Sequence, residues 1–354
     1  MIVQCAMAGP AEGPRRAGRI DAVCSASMLT TRKTVLVTGA TGFVGRALLV
    51  ALQQRGVAVR AAVRSSVDPA PEGLDVREIG EFHGDTDWRS ALDGVDTVYH
   101  LAARVHVMRE THADPWAEFQ RVNVAGTAGL ARAARRAGVR RIVLASTAKV
   151  LGEATSPGER LDDDSPLRPS DPYSRSKAEA ERALLDVCAQ GGTEAVVLRP
   201  PLMHGPGVKG NLLRLMRWIR AGRPLPFGAI DNRRSLLAVD HFASALLHAG
   251  EHPAAAGRCF LVADAPDLST PELIRRLARA MGAPARLVAV PERVLRALAR
   301  LAGRTAEIER LAGSLRLDAS GFAAATGWSA PSDVDASLER TVRAFLAAPQ
   351  EGVR

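Results

Sequence analysis

Aromatic side chains are scarce in this sequence: they make up 4% of its 354 residues, and only two are tyrosines. A chain so poor in stacking surfaces offers no aromatic-interleaved basic strip on which bases could lie. Cysteine is scarce too. Cys5, Cys24, Cys188 and Cys259 stand far apart with no C-x-x-C pair, which excludes a zinc ribbon or a disulfide framework and fits a reducing, cytoplasmic setting. The histidines lack ligand spacing; His248 and His252 are four apart but run into Pro253, which reads as a helix end, so no metal is expected. No apolar run is long enough to span a membrane, and membrane insertion is not expected. Acidic residues are outnumbered, 38 against 47 basic ones, yet the arginines are scattered along helical stretches. That pattern points to solvated helix faces and an anionic small ligand, and not to nucleic acid.

What is present is ordinary globular composition, 47% hydrophobic and 24% charged. The length suits one large or two unequal domains. Residues 1–33 carry Gly, Pro, Ser and Arg without periodicity and are expected to be a disordered leader. Met28 lies just upstream of the first strand and is read as the natural start, a point that N-terminal sequencing would settle.

The chain is organised around Thr34-Val-Leu-Val-Thr-Gly-Ala-Thr-Gly-Phe-Val-Gly-Arg46. A β-branched run ends at Gly39, glycines follow at Gly42 and Gly45, and an amphipathic stretch begins: strand, tight turn, helix. Such a turn cradles phosphate, because glycine lets the backbone bend and approach while the helix N-terminus presents N–H groups. The spacing is G-x-x-G-x-x-G, not the commoner G-x-G-x-x-G.

Gly56 stops the helix, and Val57–Val63 reads as a second strand. Its end, Val63-Arg64-Ser65-Ser66, holds no acid for an adenosine ribose, whereas Arg64 could pair with a 2′-phosphate, so NADP is expected, with NAD possible. A plain surface arginine is the alternative. Gly84-Asp85 follows a short third strand, and Trp88–Leu92 reads as a helical turn. Val95–Ala103 reads as a fourth strand ending in small residues, 114–137 as a long helix containing Asn123, and Arg141–Ser146 as a fifth strand. Strands alternating with helices give an α/β fold, a doubly wound parallel sheet of Rossmann type, with ligands at the carboxyl ends of its strands.

That rule places Ser146, Thr147 and Lys149 beside the cofactor. Tyr173 and Lys177, after a loop rich in Asp and Pro, are four apart and share one helix face. An ammonium near a phenol favours the phenolate, so the tyrosine pKa is expected to fall from its usual value of about 10, making Tyr173 a general acid or base.

At this point the sequence resembles the extended short-chain dehydrogenase/reductases, within them the NAD-dependent epimerase/dehydratase family, over about residues 33–347. The resemblance rests on Thr38-Gly-Ala-Thr-Gly-Phe-Val-Gly45, Gly84-Asp85, His100-Leu-Ala-Ala103, Asn123-Val-Ala-Gly-Thr127, Ser146-Thr147 and Tyr173-x-x-x-Lys177. It implies catalytic roles for Tyr173, Lys177, Thr147 and Asn123. It implies cofactor contacts from Gly39, Thr41, Gly42, Phe43, Val44, Gly45, Arg64, Asp85, Leu101, Ala102, Ala103, Lys177 and Pro200. Residues 34–200, with 235–262 partly returning, would form the dinucleotide-binding domain. Residues 201–354 would form mainly a smaller α/β substrate-binding domain with a C-terminal helical cap.

The segment Val196–Asn211 reads as a sixth strand running into an irregular loop. By resemblance, Thr147, Lys149, Asn211, Phe227, Arg234 and His204 would meet a UDP-sugar, His204 standing where a tyrosine is usual. Leu225–Gly228 would be a strand near the uridine, and Asp240 is expected to cap the next helix. The stretches Arg199-Pro-Pro, Gly205–Asn211 and Asn232–Ser235 resemble those of reductases that make UDP-N-acetylquinovosamine from a UDP-4-keto-6-deoxy-N-acetylhexosamine for surface polysaccharide, including lipopolysaccharide. A UDP-hexose 4-epimerase is the alternative. A non-catalytic NADP-binding scaffold would have been free to lose Tyr173, Lys177 and Thr147. The resemblance also implies a homodimer, formed through helices 114–137 and 172–189.

Overall fold

The apolar run before Gly39 forms β1 (Thr34–Thr38), and the glycine turn leads into α1 (Phe43–Gln54). Gly56, at φ 63°, ends that helix ahead of β2 (Ala58–Val63). Then come β3 (Asp75–Glu78), α2 (Arg89–Leu92) and β4 (Val95–His100). In this computed structural model the described residues are 33–65, 74–105, 114–301, 303 and 305–348. The leader with Met28, Cys5 and Cys24, and Ser66 after Arg64, lie outside them.

β4 stops at His100, short of the expected Ala103, because the Leu101 and Ala102 N–H groups turn to Thr38 Oγ1. The expected helix over 114–137 is interrupted. Its parts are α3 (Pro115–Phe119), a π-helical segment Gln120–Ala125, and α4 (Gly126–Arg136), with Asp114 as the N-cap. β5 (Arg141–Ala145), α5 (Pro172–Cys188) and β6 (Glu194–Arg199) complete the first half.

The segment after β6 is more regular than its prolines and glycines suggest. β7 (Leu202–His204) forms inside it, and α6 (Gly210–Arg220) already includes Asn211. β7 pairs with β8 (Leu236–Ala238), which runs directly into α7 (Val239–Glu251). Asp240 sits in the first turn of α7 and pairs with Arg340; the cap position is Ala238, whose N–H is taken by Asp264. β9 (Arg258–Leu261), α8 (Thr270–Ala280), α9 (Glu292–Leu301), α10 (Thr305–Ala312), α11 (Ser320–Thr326) and α12 (Val334–Ala347) follow.

The main sheet has the order β3-β2-β1-β4-β5-β6-β9, every neighbouring pair parallel. Side chains alternate across it, so Val35 and Val37 pack with α1 and α7 while Leu36 packs on the opposite face with α2 and α4. Burial on both faces explains why the strands read as continuous apolar runs. Each fully buried leucine such as Leu36 contributes about 1.5–3 kcal/mol. This is the doubly wound sheet expected from the sequence. The strand order reverses between β1 and β4, which opens a crevice at their carboxyl ends. A third core joins α6, α8 and α12 through Leu215, Met216, Ile274, Leu277, Leu338 and Val342.

Candidate active site

The crevice begins at the glycine turn. Gly39 has φ 69°, and a Cβ there would lie 2.7 Å from Ala102 N, so β1 and the end of β4 can approach only through glycine. A Cβ on Gly45 would sit 2.2 Å from Gly39 O, which fixes the entry of α1 against the turn. Gly42 caps α1 without a side chain, and no acid occupies the first turn. The helix end therefore presents uncapped N–H groups and a positive dipole end, which fits a dinucleotide's pyrophosphate.

From the end of β1, a line of buried hydrogen bonds runs to α5. Thr38 Oγ1 accepts from Leu101 N and Ala102 N, so its one proton goes to His100 Nδ1 at 2.8 Å. His100 Nε2–H then donates to Thr127 Oγ1 at 2.9 Å, and Thr127 donates to the Asn123 carbonyl. Asn123 is buried in the π-helical segment. Its amide accepts from Arg104 N and donates to Arg104 O and to Ser176 Oγ, which donates in turn to the Tyr173 carbonyl. Asn123 thus ties the stretch after β4 to the turn that carries the tyrosine. Burial, reinforced by the Lys177 charge, pushes His100 down to about 3, in keeping with a neutral ring in this line.

Tyr173 and Lys177 lie on the inner face of α5, whose start is fixed by a capping box between Asp171 and Ser174. Neither side chain has a hydrogen-bond partner among the described residues. The expected fall in the tyrosine pKa does not occur. Burial pushes the phenol up to about 12, with the Asp171 charge adding to it, and burial brings Lys177 down to about 8 against the pull of Glu181. Desolvation outweighs the spacing of the pair, since both charged forms lose hydration where the side chains are covered.

Thr147 follows β5 and caps a short 3₁₀ turn through Lys149 N. Lys149 does not stand free for a ligand: its ammonium bridges Glu153 at 2.7 Å and Asp171 at 2.8 Å. That bridge docks the loop after β5 onto the cap of α5. Behind it, Glu181 and Arg199 form a buried ion pair at 2.8 Å, and Ser146 Oγ donates to Glu181. Sequence reasoning missed this pair because its partners lie 18 positions apart. The one available signal was the i, i+4 step from Lys177 to Glu181.

The other candidate residues separate into groups. Arg64 and Asp85 are exposed beyond β2 and β3, and Pro200 continues β6, its carbonyl accepting from Ala148 N. Asn211 and Phe227 share a cavity of about 440 Å³ with Arg214, Trp218, Leu298 and Leu311. Asn211 also borders a small neighbouring cavity with Arg234, whose guanidinium donates to Gly313 O and meets no carboxylate among the described residues. Residues 225–228 do not form the expected strand; Leu225 makes an isolated bridge to Leu287, since Pro224 and Pro226 remove two N–H donors. His204 is buried and turned toward α12: Thr341 donates to Ser337 O and so accepts from His204 Nδ1–H, leaving Nε2 without a hydrogen-bond partner among the described residues. Burial lowers its pKa to about 4.

The model of the NAD dependent epimerase/dehydratase family matches residues 35–263. The chain is 37% identical over 318 residues to a UDP-glucose 4-epimerase of Vibrio cholerae, covering 89% of this chain and 96% of that one. It is 34% identical over 264 residues to a 2-alkyl-3-oxoalkanoate reductase of Stenotrophomonas maltophilia, covering 71% and 76%. Among solved structures, it resembles MoeE5 in complex with UDP-glucose and NAD, with a TM-score of 0.70 and 26% identity, covering 88% of this chain and 98% of that one.

Proposed function

Because the chain belongs to the NAD-dependent epimerase/dehydratase family, we propose that it acts at C4 of a hexose carried on uridine diphosphate. Its reaction in this reading is reduction of a UDP-4-keto-6-deoxy-N-acetylhexosamine to the 4-hydroxy sugar, as in UDP-N-acetylquinovosamine formation for surface polysaccharide. A bound nicotinamide cofactor supplies the hydride. The observation that carries the reading is Tyr173 and Lys177, one turn apart on the inner face of α5, neither side chain with a hydrogen-bond partner among the described residues.

Tyr173, held protonated by burial, gives its proton to the C4 oxygen, and Thr147 donates a hydrogen bond to that oxygen. Lys177 would hold the ribose of that cofactor and places a positive charge on the same face of α5 as the phenol. Asn123 keeps α5 in register through Ser176. The uncapped end of α1 holds the pyrophosphate, with Leu101, Ala102 and Ala103 lining the pocket. Substrate recognition falls to residues 201–354, where Arg234 and Asn211 face the diphosphate and Phe227 the uridine. Arg64, exposed after β2 with no partner among the described residues, supports NADP. The homodimer through helices 114–137 and 172–189 belongs to the same proposal, and light scattering tests it.

A second reading, a UDP-hexose 4-epimerase, is favoured by the Vibrio cholerae relative and by the NAD in the MoeE5 structure. One experiment separates the two: oxidation of NADPH and of NADH by the purified protein on adding the UDP-4-keto sugar. Stoichiometric oxidation, faster with NADPH, is the expected result. No oxidation, with UDP-glucose and UDP-galactose interconverting without added cofactor, would make the protein an epimerase.

A further inference from the structure

α9 is covered on one edge and bare on another. Leu295 and Ala299, four residues apart, are buried and line the cavity that holds Asn211 and Phe227. Val294, Leu298 and Leu301 form a second apolar stripe about 100° round the helix, and they are 41%, 55% and 87% exposed. Val288, in the segment leading to α9, is 47% exposed. Ten large apolar side chains are exposed among the described residues, and four of them fall within residues 288–301. Apolar surface concentrated in this way marks a contact face.

The charge around the stripe has one sign. Residues 209–230, which include α6, carry Lys209, Arg214, Arg217, Arg220 and Arg223 and no acid. Residues 281–301 carry four arginines and one acid, Glu292, which Arg296 already takes at 2.7 Å. Packing brings the two stretches together: Arg223 lines the same cavity as Leu298, and a Cβ on Gly222 would lie 3.8 Å from Arg286 Cζ. Arg293 and Arg300, seven residues apart, flank the stripe on the side away from Leu295. Arg223, Arg286, Arg293 and Arg300 are all exposed, and none meets a carboxylate among the described residues.

We propose that α9 docks the protein on an anionic lipid membrane, with Val294, Leu298 and Leu301 entering the acyl boundary and the four arginines meeting the headgroups. A bilayer surface satisfies the stripe and its charged rim together. A second copy of the chain fits less well, because a twofold contact would set this basic face against itself. Nucleic acid would meet the arginines and leave the stripe bare. The ten residues of α9 are too few to span a bilayer, so the contact is peripheral. The inference does not rest on the sugar chemistry.

The test is cosedimentation of the full chain with extruded vesicles, either pure phosphatidylcholine or phosphatidylcholine with about 30% phosphatidylglycerol. The expected result is binding to the anionic vesicles that weakens as salt is raised, and roughly tenfold or more weaker binding to the neutral ones. Val294 and Leu301 are exposed and lie outside the cavity, so a Val294→Glu, Leu301→Glu double variant should keep the wild-type thermal midpoint. Its binding to anionic vesicles should fall by roughly tenfold or more. Arg293→Gln and Arg300→Gln should each weaken binding by about fivefold. A wild-type protein that stays in the supernatant would overturn the inference. Equal binding by wild type and the double glutamate variant would also overturn it, by reducing the effect to net charge. So would sedimentation equilibrium in which the double variant breaks an oligomer of the wild type, because the stripe would then belong to a second copy.

Discussion

Asn123 donates to Ser176 Oγ at 2.9 Å, and Ser176 donates to the Tyr173 carbonyl at 2.8 Å, so the π-helical segment is bonded to the turn that aims the tyrosine. Asn123→Ala deprives Arg104 N, Arg104 O and Ser176 Oγ of a buried partner. A loss of about 1–3 kcal/mol in folding stability is expected, together with a lower kcat. Urea unfolding checks the first part, and an unchanged midpoint would refute it.

Tyr173→Phe should separate chemistry from folding. The phenolic oxygen has no hydrogen-bond partner among the described residues, so the thermal midpoint should stay at the wild-type value. The rate of sugar turnover should fall by roughly 10²–10⁴-fold. Full activity in a folded Tyr173→Phe protein would remove Tyr173 from the reaction.

His100 links stability to acid. Its folded pKa, about 3, lies below the usual histidine value of 6.5 because burial disfavours the imidazolium and Lys177 opposes it. Between those values the unfolded chain binds the extra proton. The contribution of His100 is therefore complete above about 6.5 and is lost as pH falls toward 3. His204, lowered by burial to about 4, acts in the same direction over the upper part of that window. His100→Gln, which cannot titrate, should show a shallower decline of unfolding free energy between pH 6.5 and pH 4. Parallel declines would contradict the buried neutral ring.

Gly45→Ala places a methyl group 2.2 Å from Gly39 O and 2.6 Å from Ala40 O. Both obstacles are backbone, so α1 must shift from the turn. The expected cost is about 1–3 kcal/mol, with weaker binding of NAD or NADP. Cofactor titration by tryptophan quenching is the check, and wild-type affinity would count against the phosphate cradle.

Arg234→Met removes a guanidinium that borders the small cavity beside Asn211. If it meets the substrate diphosphate, KM for the UDP-sugar should rise by roughly tenfold or more with kcat little changed. A Lys at this position is expected to recover only part of the loss, because an ammonium cannot match the planar fork. Unaltered KM would return Arg234 to a packing role.

Much of the fold could be read because parallel strands buried on both faces are continuous apolar runs, and because glycines mark the turn where β1 meets β4. That Tyr173 and Lys177 share one face of α5 was legible from their four-residue spacing. The pKa direction of Tyr173 was not, since spacing carries charge proximity but says nothing about how much water a pocket admits. Glu181, Ser146 and Arg199 come from three separate elements, and only packing brings them together. The short strand Leu202–His204 hid in a stretch of prolines and glycines because its support comes from Leu236–Ala238 across the fold. Asp240 reads as a cap by residue type, yet the backbone at Ala238 is already claimed by Asp264.

The π-helical segment Gln120–Ala125 gives the long helix a change of phase. Wider turns accommodate an extra residue, which offsets the side chains before the segment from those after it by about 100° relative to an unbroken α-helix. Phe119, upstream, lies 6.5 Å from the Tyr173 ring, while Leu130 and Ala134, downstream, are in the sheet core. A uniform helix would have to give up one of these two alignments. Counted in codons, the arrangement behaves as a single-residue insertion, and its removal would turn Phe119 away from Tyr173 while leaving α4 in place.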